Sequence, residues 1–476
     1  MKKLALIIAL ASICAAASAK VEFPAVIGDN MVLQQQTAAS FWGKAAPGKK
    51  VTVKTTWSKE KYSVTADSKT GKWFVKLNTP AAGGPYEITV SDGEAVTLKN
   101  ILIGEVWFCS GQSNMEMPMK GFGSQPVKGA TDYIVSANAS RPIRMCTVKR
   151  CSSTTLKEDT ECQWKENVPD AVADCSATAY FFADQLQKSI GIPVGLLITE
   201  WGGSSIETWI NEEVIASEFP EFDISYLHGA KVKTKANQSP CLLFNGQVNP
   251  LIPFTFKGML WYQGEANRDR PDQYVRLQTA YVKMMRELFQ VPDAPFYFVQ
   301  IAPYKYGAPN AFMSGYFVEA QAKTLETIPN SGMAVTCDCG ELGTIHPCEK
   351  QPVGRRLAYL ALNRDYGFKS ICADAPKYES VDFKNGKALV KFTVDKMGLS
   401  PMGAPIKGFE IAGADRQFHP ARAVLSKDHS VIEVSSPDVA EPAAVRYCFR
   451  NWCKGSLYNN FGIPAAPFRT DDWNIE

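Results

Sequence analysis

Ile101-Leu102-Ile103-Gly104-Glu105-Val106-Trp107-Phe108-Cys109-Ser110-Gly111-Gln112-Ser113-Asn114-Met115 is where the pattern of the chain changes. Its first half is an apolar run of strand length, and its second half is a glycine followed by short polar residues, the pattern of a strand that ends in a turn. Upstream, residues 21–100 read as short alternating segments such as Val51-Thr52-Val53-Lys54 and Trp73-Phe74-Val75-Lys76-Leu77 between Gly and Pro turns, a small β-sandwich. Downstream, apolar strands expected at 101–108, 194–199, 258–262, 296–301 and 333–336 alternate with helical stretches at 176–190, 273–289, 317–328 and 350–363. That alternation implies an α/β domain whose parallel sheet is covered on both faces. After about Ala373 strands return, with Lys384-Asn385-Gly386-Lys387 as a hairpin turn. The expected organisation is a leader (1–19), a β-sandwich (20–100), an α/β domain (101–373) and a C-terminal β-rich domain (374–476).

Met1-Lys2-Lys3, an apolar run and Ala17-Ser18-Ala19 before Lys20 have the layout of a secretory signal, so the mature chain is expected to begin near Lys20 and to be secreted or periplasmic. Cys14 follows Ile13 where a lipoprotein signal needs a small residue, which argues against lipid anchoring. No later stretch has the length of apolar sequence that a membrane span requires. The 51 basic and 48 acidic residues leave a net charge of +3 with no long block of one sign, so nucleic acid is not an expected partner. Cys14 leaves with the signal, and the rest of the 13 cysteines are even in number; Cys448 with Cys453, or Cys146 with Cys151, are candidates for local bridges.

Ligands of an open parallel sheet sit beyond the carboxyl ends of its strands, so the residues after each strand carry the chemistry. They are Gly111-Gln112-Ser113-Asn114-Met115, then Glu200-Trp201-Gly202-Gly203-Ser204-Ser205, then Gln263-Gly264-Glu265-Ala266-Asn267, and finally Asp338, Glu341 and Ile345-His346-Pro347. Acyl transfer needs a nucleophile, a base and donors aimed at the oxyanion. Ser113 is the candidate nucleophile and His346 the candidate base. The Ser113 amide, an amide of Gly202-Gly203 and the Asn267 side chain are candidate oxyanion donors. Taken singly, each has a plainer reading: Ser113 as a helix cap, Gly202-Gly203 as a turn, Asn267 as a cap and Glu265 as an ion-pair partner. Four such groups at four strand ends favour one site. His-Glu-x-x-His is absent, and Met115 stands where Gly-x-Ser-x-Gly would end, which disfavours a metal hydrolase and a standard α/β-hydrolase elbow.

Ile103-Gly104-Glu105-Val106-Trp107 leading into Gly111-Gln112-Ser113-Asn114-Met115, then Trp201-Gly202-Gly203, Trp261-Tyr262-Gln263-Gly264-Glu265-Ala266-Asn267 and Ile345-His346-Pro347 with Val353-Gly354-Arg355-Arg356-Leu357-Ala358 resemble the sialate O-acetylesterases of the SGNH hydrolase superfamily. Met31-Val32-Leu33-Gln34 and Gly462-Ile463-Pro464-Ala465-Ala466-Pro467-Phe468 extend the resemblance over nearly the whole mature chain. The resemblance implies a flavodoxin-like hydrolase domain, no metal or cofactor, an acetyl-serine intermediate and an O-acetylated sugar as substrate. It makes Ser113 the nucleophile, His346 the base, and Gly203 and Asn267 the oxyanion donors. Gln112, Gln263, Glu265 and Arg268 are candidate substrate-binding residues. Sialate carries a carboxylate, so a pocket cation, Arg268 or Arg270, would favour it over an acetylated xylan.

One position departs from the family pattern. Thr344 stands two residues before His346, where members of the family it resembles often carry Asp. A carboxylate normally fixes the histidine tautomer, so that task falls to Asp338, to Glu341, to a backbone carbonyl or to nothing. The competing reading is a carbohydrate-binding protein that keeps the fold and has lost the chemistry.

Overall fold

The computed structural model describes residues 20–473, so the expected leader at 1–19 lies outside the described residues. One long strand organises the molecule. β1 (Ala95–Gly111) begins in the N-terminal sandwich, where it pairs antiparallel with Gly83–Ser91, and ends as the central strand of the α/β domain. The expected boundary between residues 100 and 101 therefore falls inside one strand, which two sheets share. Asn100 takes φ 57 within it, a left-handed kink that explains why the sequence reads as a break there.

The α/β sheet adds β2 (Ile143–Thr147), β3 (Val194–Glu200), β4 (Gly258–Tyr262), β5 (Phe296–Val299) and β6 (Ser331–Ala334), in the spatial order β6-β5-β4-β1-β3-β2. All of these pairings are parallel. Without β2 and the antiparallel edge strand Trp164–Glu166 that pairs with it, the order is that of a flavodoxin-like sheet, with β1 at the switch point, so a crevice opens between the carboxyl ends of β1, β3 and β4. β3 and β4 are buried along their whole length, as strands covered on both faces must be. α1 (Ser113–Glu116), α2 (Ala177–Ile190), α3 (Pro271–Leu288), α4 (Met313–Thr327) and α5 (Lys350–Asp365) follow. Of these, α2 and α5 pack together and bury Phe181, Phe182, Leu357 and Ala361. Gly354 allows the close approach: a Cβ there would lie 2.7 Å from the Thr178 carbonyl oxygen.

At the C-terminal end Asn385 and Gly386 take φ 51 and φ 73, both positive as a two-residue hairpin requires, and join Lys377–Lys384 to Lys387–Thr393. A second sheet, made of His419–Pro420, Phe409–Ala412, Ala444–Tyr447 and Phe468–Arg469, is also antiparallel. Phe409, Ile411 and Phe468 share one apolar cluster with Trp261, Phe298 and Phe317, so this part packs into the core of the α/β domain. Among the described residues no helix is long and apolar enough to cross a membrane.

Candidate active site

β1 delivers Ser113. Gly111 takes φ 150, and a Cβ there would lie 2.2 Å from the Tyr262 carbonyl oxygen, so only glycine lets the end of β1 run this close to β4. Gln112 N–H then bonds that carbonyl at 3.0 Å and the chain turns into α1. Ser113 is the first helical residue, and its N–H has no intrahelical acceptor. Its Oγ makes no hydrogen bond among the described residues, to His346 or to any backbone amide, so it does not act as a cap.

The segment after β3 passes directly over the serine. A Cβ on Gly202 would come within 3.3 Å of the Ser113 Cβ. The Gly202 N–H is already used, donating to Glu116 Oε2 at 2.6 Å, and Glu116 is in turn paired with Arg150. Gly203 takes φ 69, and its N–H has no partner among the described residues. Of the two glycines, Gly203 thus has the open amide.

The turn after β4 is held from beneath. Gln112 Oε1 accepts from the amides of Gly264 at 3.2 Å and Ala266 at 3.3 Å. Gln263 donates to the Ser204 carbonyl at 3.0 Å and to Asn267 Oδ1 at 2.7 Å. Asn267 Oδ1 also accepts from the Ile206 amide at 3.0 Å, while its Nδ2 donates one hydrogen to Glu207 Oε2 at 2.8 Å. Two donors on the oxygen fix the orientation of the amide and leave one Nδ2 hydrogen for an oxyanion. Gln263 has no exposed surface and both its hydrogens are spent. It therefore supports the turn, as Gln112 does, where sequence reasoning had placed both against substrate.

His346 is the one remaining strand-end group, and its support differs from expectation. Both oxygens of Asp338 are taken by Arg356, at 2.7 and 2.6 Å, in a buried pair that also holds the Val335 carbonyl. Glu341 accepts from the Cys348 amide at 2.6 Å. Neither carboxylate meets the imidazole. Instead Nδ1 lies 2.9 Å from Gln125 Oε1, and Gln125 Nε2 donates to Thr344 Oγ1 at 3.1 Å. That second bond fixes which end of the amide faces the ring, so Nδ1 carries the proton and Nε2 keeps its lone pair. Thr344 Oγ1 also accepts the His346 backbone amide at 3.1 Å. Gln125 lies in a loop with no motif around it; the missing acid at Thr344 was the only sequence sign that another residue had to serve. Burial, with a smaller contribution from Lys350, pushes the His346 pKa down to about 4, so the ring is a neutral base at pH 7.

Asn114, beside Ser113, ties the segments together. Its Nδ2 donates to Glu265 Oε1 at 2.6 Å and to the Ile345 carbonyl at 3.1 Å, and its Oδ1 accepts from Lys350 at 2.7 Å. One side chain thus fixes the Ser113 turn to the His346 loop. Burial pushes Lys350 down to about 7 and Glu265 upward, each toward its neutral form. The two candidate cations separate clearly: Arg270 is paired with Glu207 at 2.8 Å, whereas Arg268 meets no carboxylate among the described residues and lies on the Tyr306 ring, 3.8 Å from its centroid.

A free serine, a neutral histidine held by its far nitrogen and an unspent glycine amide beside an oriented asparagine are the parts of an acyl-transfer site. The comparisons with known proteins agree. The family model described as carbohydrate esterase, sialic acid-specific acetylesterase matches residues 103–358, more than half of the chain. The human sialate O-acetylesterase is 29% identical over 94% of this chain and 92% of its own length, and the orangutan (Pongo abelii) protein of that name is 28% identical over the same shares. Among solved structures, a novel carbohydrate acetylesterase from Xanthomonas citri is 33% identical, with a TM-score of 0.84 over 95% of this chain and 100% of that one. The chain belongs to the sialic acid-specific acetylesterase family of carbohydrate esterases and is a carbohydrate O-acetylesterase.

Proposed function

We propose that the chain removes O-acetyl groups from sialic acids through an acetyl-serine intermediate, as a secreted or periplasmic enzyme. Ser113 Oγ attacks the acetyl carbonyl while His346 Nε2 takes its proton. The Ser113 and Gly203 amides and Asn267 Nδ2 hold the oxyanion. Collapse of the tetrahedral adduct expels the sugar oxygen, which receives the proton from His346, and water then repeats the sequence on acetyl-Ser113. The observation that carries this reading is the fixed, neutral imidazole of His346, tied to the Ser113 turn through Asn114. Gln125 supports the ring with a neutral carbonyl, so the imidazolium gains less than it would from a carboxylate, and a Ser-His dyad results. The names of the curated relatives and the unpaired Arg268 favour an acidic sugar over a neutral one.

Acetate release from an aryl acetate and from 9-O-acetylated sialic acid tests the proposal. Ser113→Ala and His346→Ala are each expected to lower kcat by about a hundredfold or more. Full activity in Ser113→Ala would rule out the mechanism. A native enzyme that released acetate from acetylated xylan and not from sialic acid would rule out the substrate.

A further inference from the structure

Arg268 is a cation without a counter-charge at the edge of the acyl-transfer site. Its place is set by its neighbours: Asn267 is fully buried, and the turn that carries both is clamped by Gln112, the residue before the nucleophile. The guanidinium lies over Tyr306, 3.8 Å from the ring centroid. Its Nε and Nη1 are shut off from solvent with no hydrogen-bond partner, and the hydroxyls of Tyr262 and Tyr306 and Glu265 Oε2 nearby are in the same condition. Arg270, two residues on, shows the ordinary alternative: its Nη2 meets Glu207 at 2.8 Å and its Nη1 meets Gln273 at 2.6 Å. Buried donors in folded proteins have acceptors as a rule. The side chain is half-buried and Nη2 is not among the closed-off nitrogens, so a guanidinium held flat on a ring presents an edge that includes Nη2 to a planar anion.

The shelf beneath it is itself built by distant sequence. Asn451, from the C-terminal part, donates from Nδ2 to the Ala308 carbonyl at 2.9 Å and from its backbone to the Ala311 carbonyl at 2.7 Å, and it accepts the Tyr304 amide at 2.9 Å. Those bonds pin both sides of Tyr306. The carboxyl nearest to Arg268 in sequence outside its own turn is Asp269, which faces Arg270 at 3.8 Å. Glu265, the acid within the turn, accepts from Asn114 through Oε1, and its Oε2 has no hydrogen-bond partner, so neither oxygen bonds the guanidinium.

We propose that Arg268, held on Tyr306, receives the carboxylate of the acetylated sugar and so selects acidic substrates over neutral ones. The assignment rests on the sialate reading of the site and names the residue that enforces it. A guanidinium that bonded only sugar hydroxyls would favour neutral and acidic sugars alike.

The test compares acetate release from 9-O-acetylated sialic acid and from its carboxyl methyl ester, which keeps the ring and loses the charge, in the native enzyme, R268Q and R268K. The native enzyme is expected to prefer the free acid by about tenfold or more in kcat/KM, chiefly through KM. R268Q is expected to bring that ratio to about one, and R268K, which keeps the charge without the fork, to restore it in part. Far-ultraviolet circular dichroism and a thermal melt of each variant report that it is folded. A native enzyme that takes acid and ester equally well, or an R268Q that keeps the preference, overturns the assignment while leaving the sialate reading in place. A native enzyme inactive on both forms overturns the two together. Because native-enzyme selectivity is read directly, failure of a variant to fold does not protect the assignment.

Discussion

His346 sits where its charged form is disfavoured. Burial and the nearby Lys350 lower its pKa from the ordinary 6.5 to about 4, and Gln125 offers Nδ1 a neutral acceptor with no compensating charge. Between those two values the unfolded chain binds the proton that the folded chain refuses, so stability rises with pH across that window, and the proposed base is already neutral above its lower end. The acid limb of kcat/KM is therefore expected near pH 4, well below the value for an unperturbed imidazole. Gln125→Glu places a carboxylate on Nδ1, which favours the imidazolium and is expected to move that limb upward by about one pH unit or more. A limb that stayed put in Gln125→Glu would show that Gln125 does not govern the ring. At this scale the sequence pointed to the groups proposed to react but not to what supports His346. Ser113, Gly203, Asn267 and His346 each follow a strand, and strand ends can be counted. Gln125 comes from a loop more than two hundred positions from the histidine, and only folding brings it there.

Asp338 belongs to the connection between elements. Its pair with Arg356 joins the segment after β6 to α5, and the side chains are only 13% and 7% exposed. Removing one partner of such a pair leaves a buried charge unmatched, a loss of about 3–5 kcal/mol. Asp338→Asn is thus expected to lower Tm markedly while kcat/KM of the folded fraction falls less than about tenfold, or about 1.4 kcal/mol of barrier. A large fall in kcat with unchanged Tm would return Asp338 to a role behind His346. The same scale shows what periodicity conveys. The strands read as apolar runs, β3 and β4 among them, are those buried on both faces. β2 escaped because Arg144 interrupts Ile143–Thr147, and Arg144 is tolerated there only by pairing with Glu166 of the edge strand Trp164–Glu166 at 2.9 Å. Asn385-Gly386 was legible because the turn type demands two positive φ values and few residue pairs supply them. The expected bridges are not formed among the described residues, where every cysteine is free: Cys448 and Cys453 stand with Sγ atoms 3.3 Å apart, and Cys146 faces Cys162 and not Cys151.

For the molecule as a whole, the segments flanking the α/β domain are structural parts of the enzyme. β1 carries the N-terminal sandwich and the Ser113 turn on one backbone, so neither sheet is complete without the other. The C-terminal part is bound in by chemistry of several kinds. Phe409, Ile411 and Phe468 share the apolar cluster of Trp261 and Phe317, Arg469 grips Glu319 of α4 at 3.0 and 3.1 Å, and Gly455 N–H bonds the Cys337 carbonyl just after β6. Asn451 also accepts the Ser314 amide at the start of α4, besides pinning the loop under Arg268. A chain ending at Ala373 would expose the inner side of that cluster, a contiguous apolar surface of the kind that drives association in water. Expression of residues 20–373 is accordingly expected to give aggregated protein, or soluble protein with at least about tenfold less aryl acetate hydrolysis per mole than residues 20–476, because α4 and the Tyr306 loop lose their anchors. Recovery of a soluble, monodisperse and fully active 20–373 fragment would show instead that the C-terminal sheets are a separable appendage and that the site is organised by the α/β domain alone.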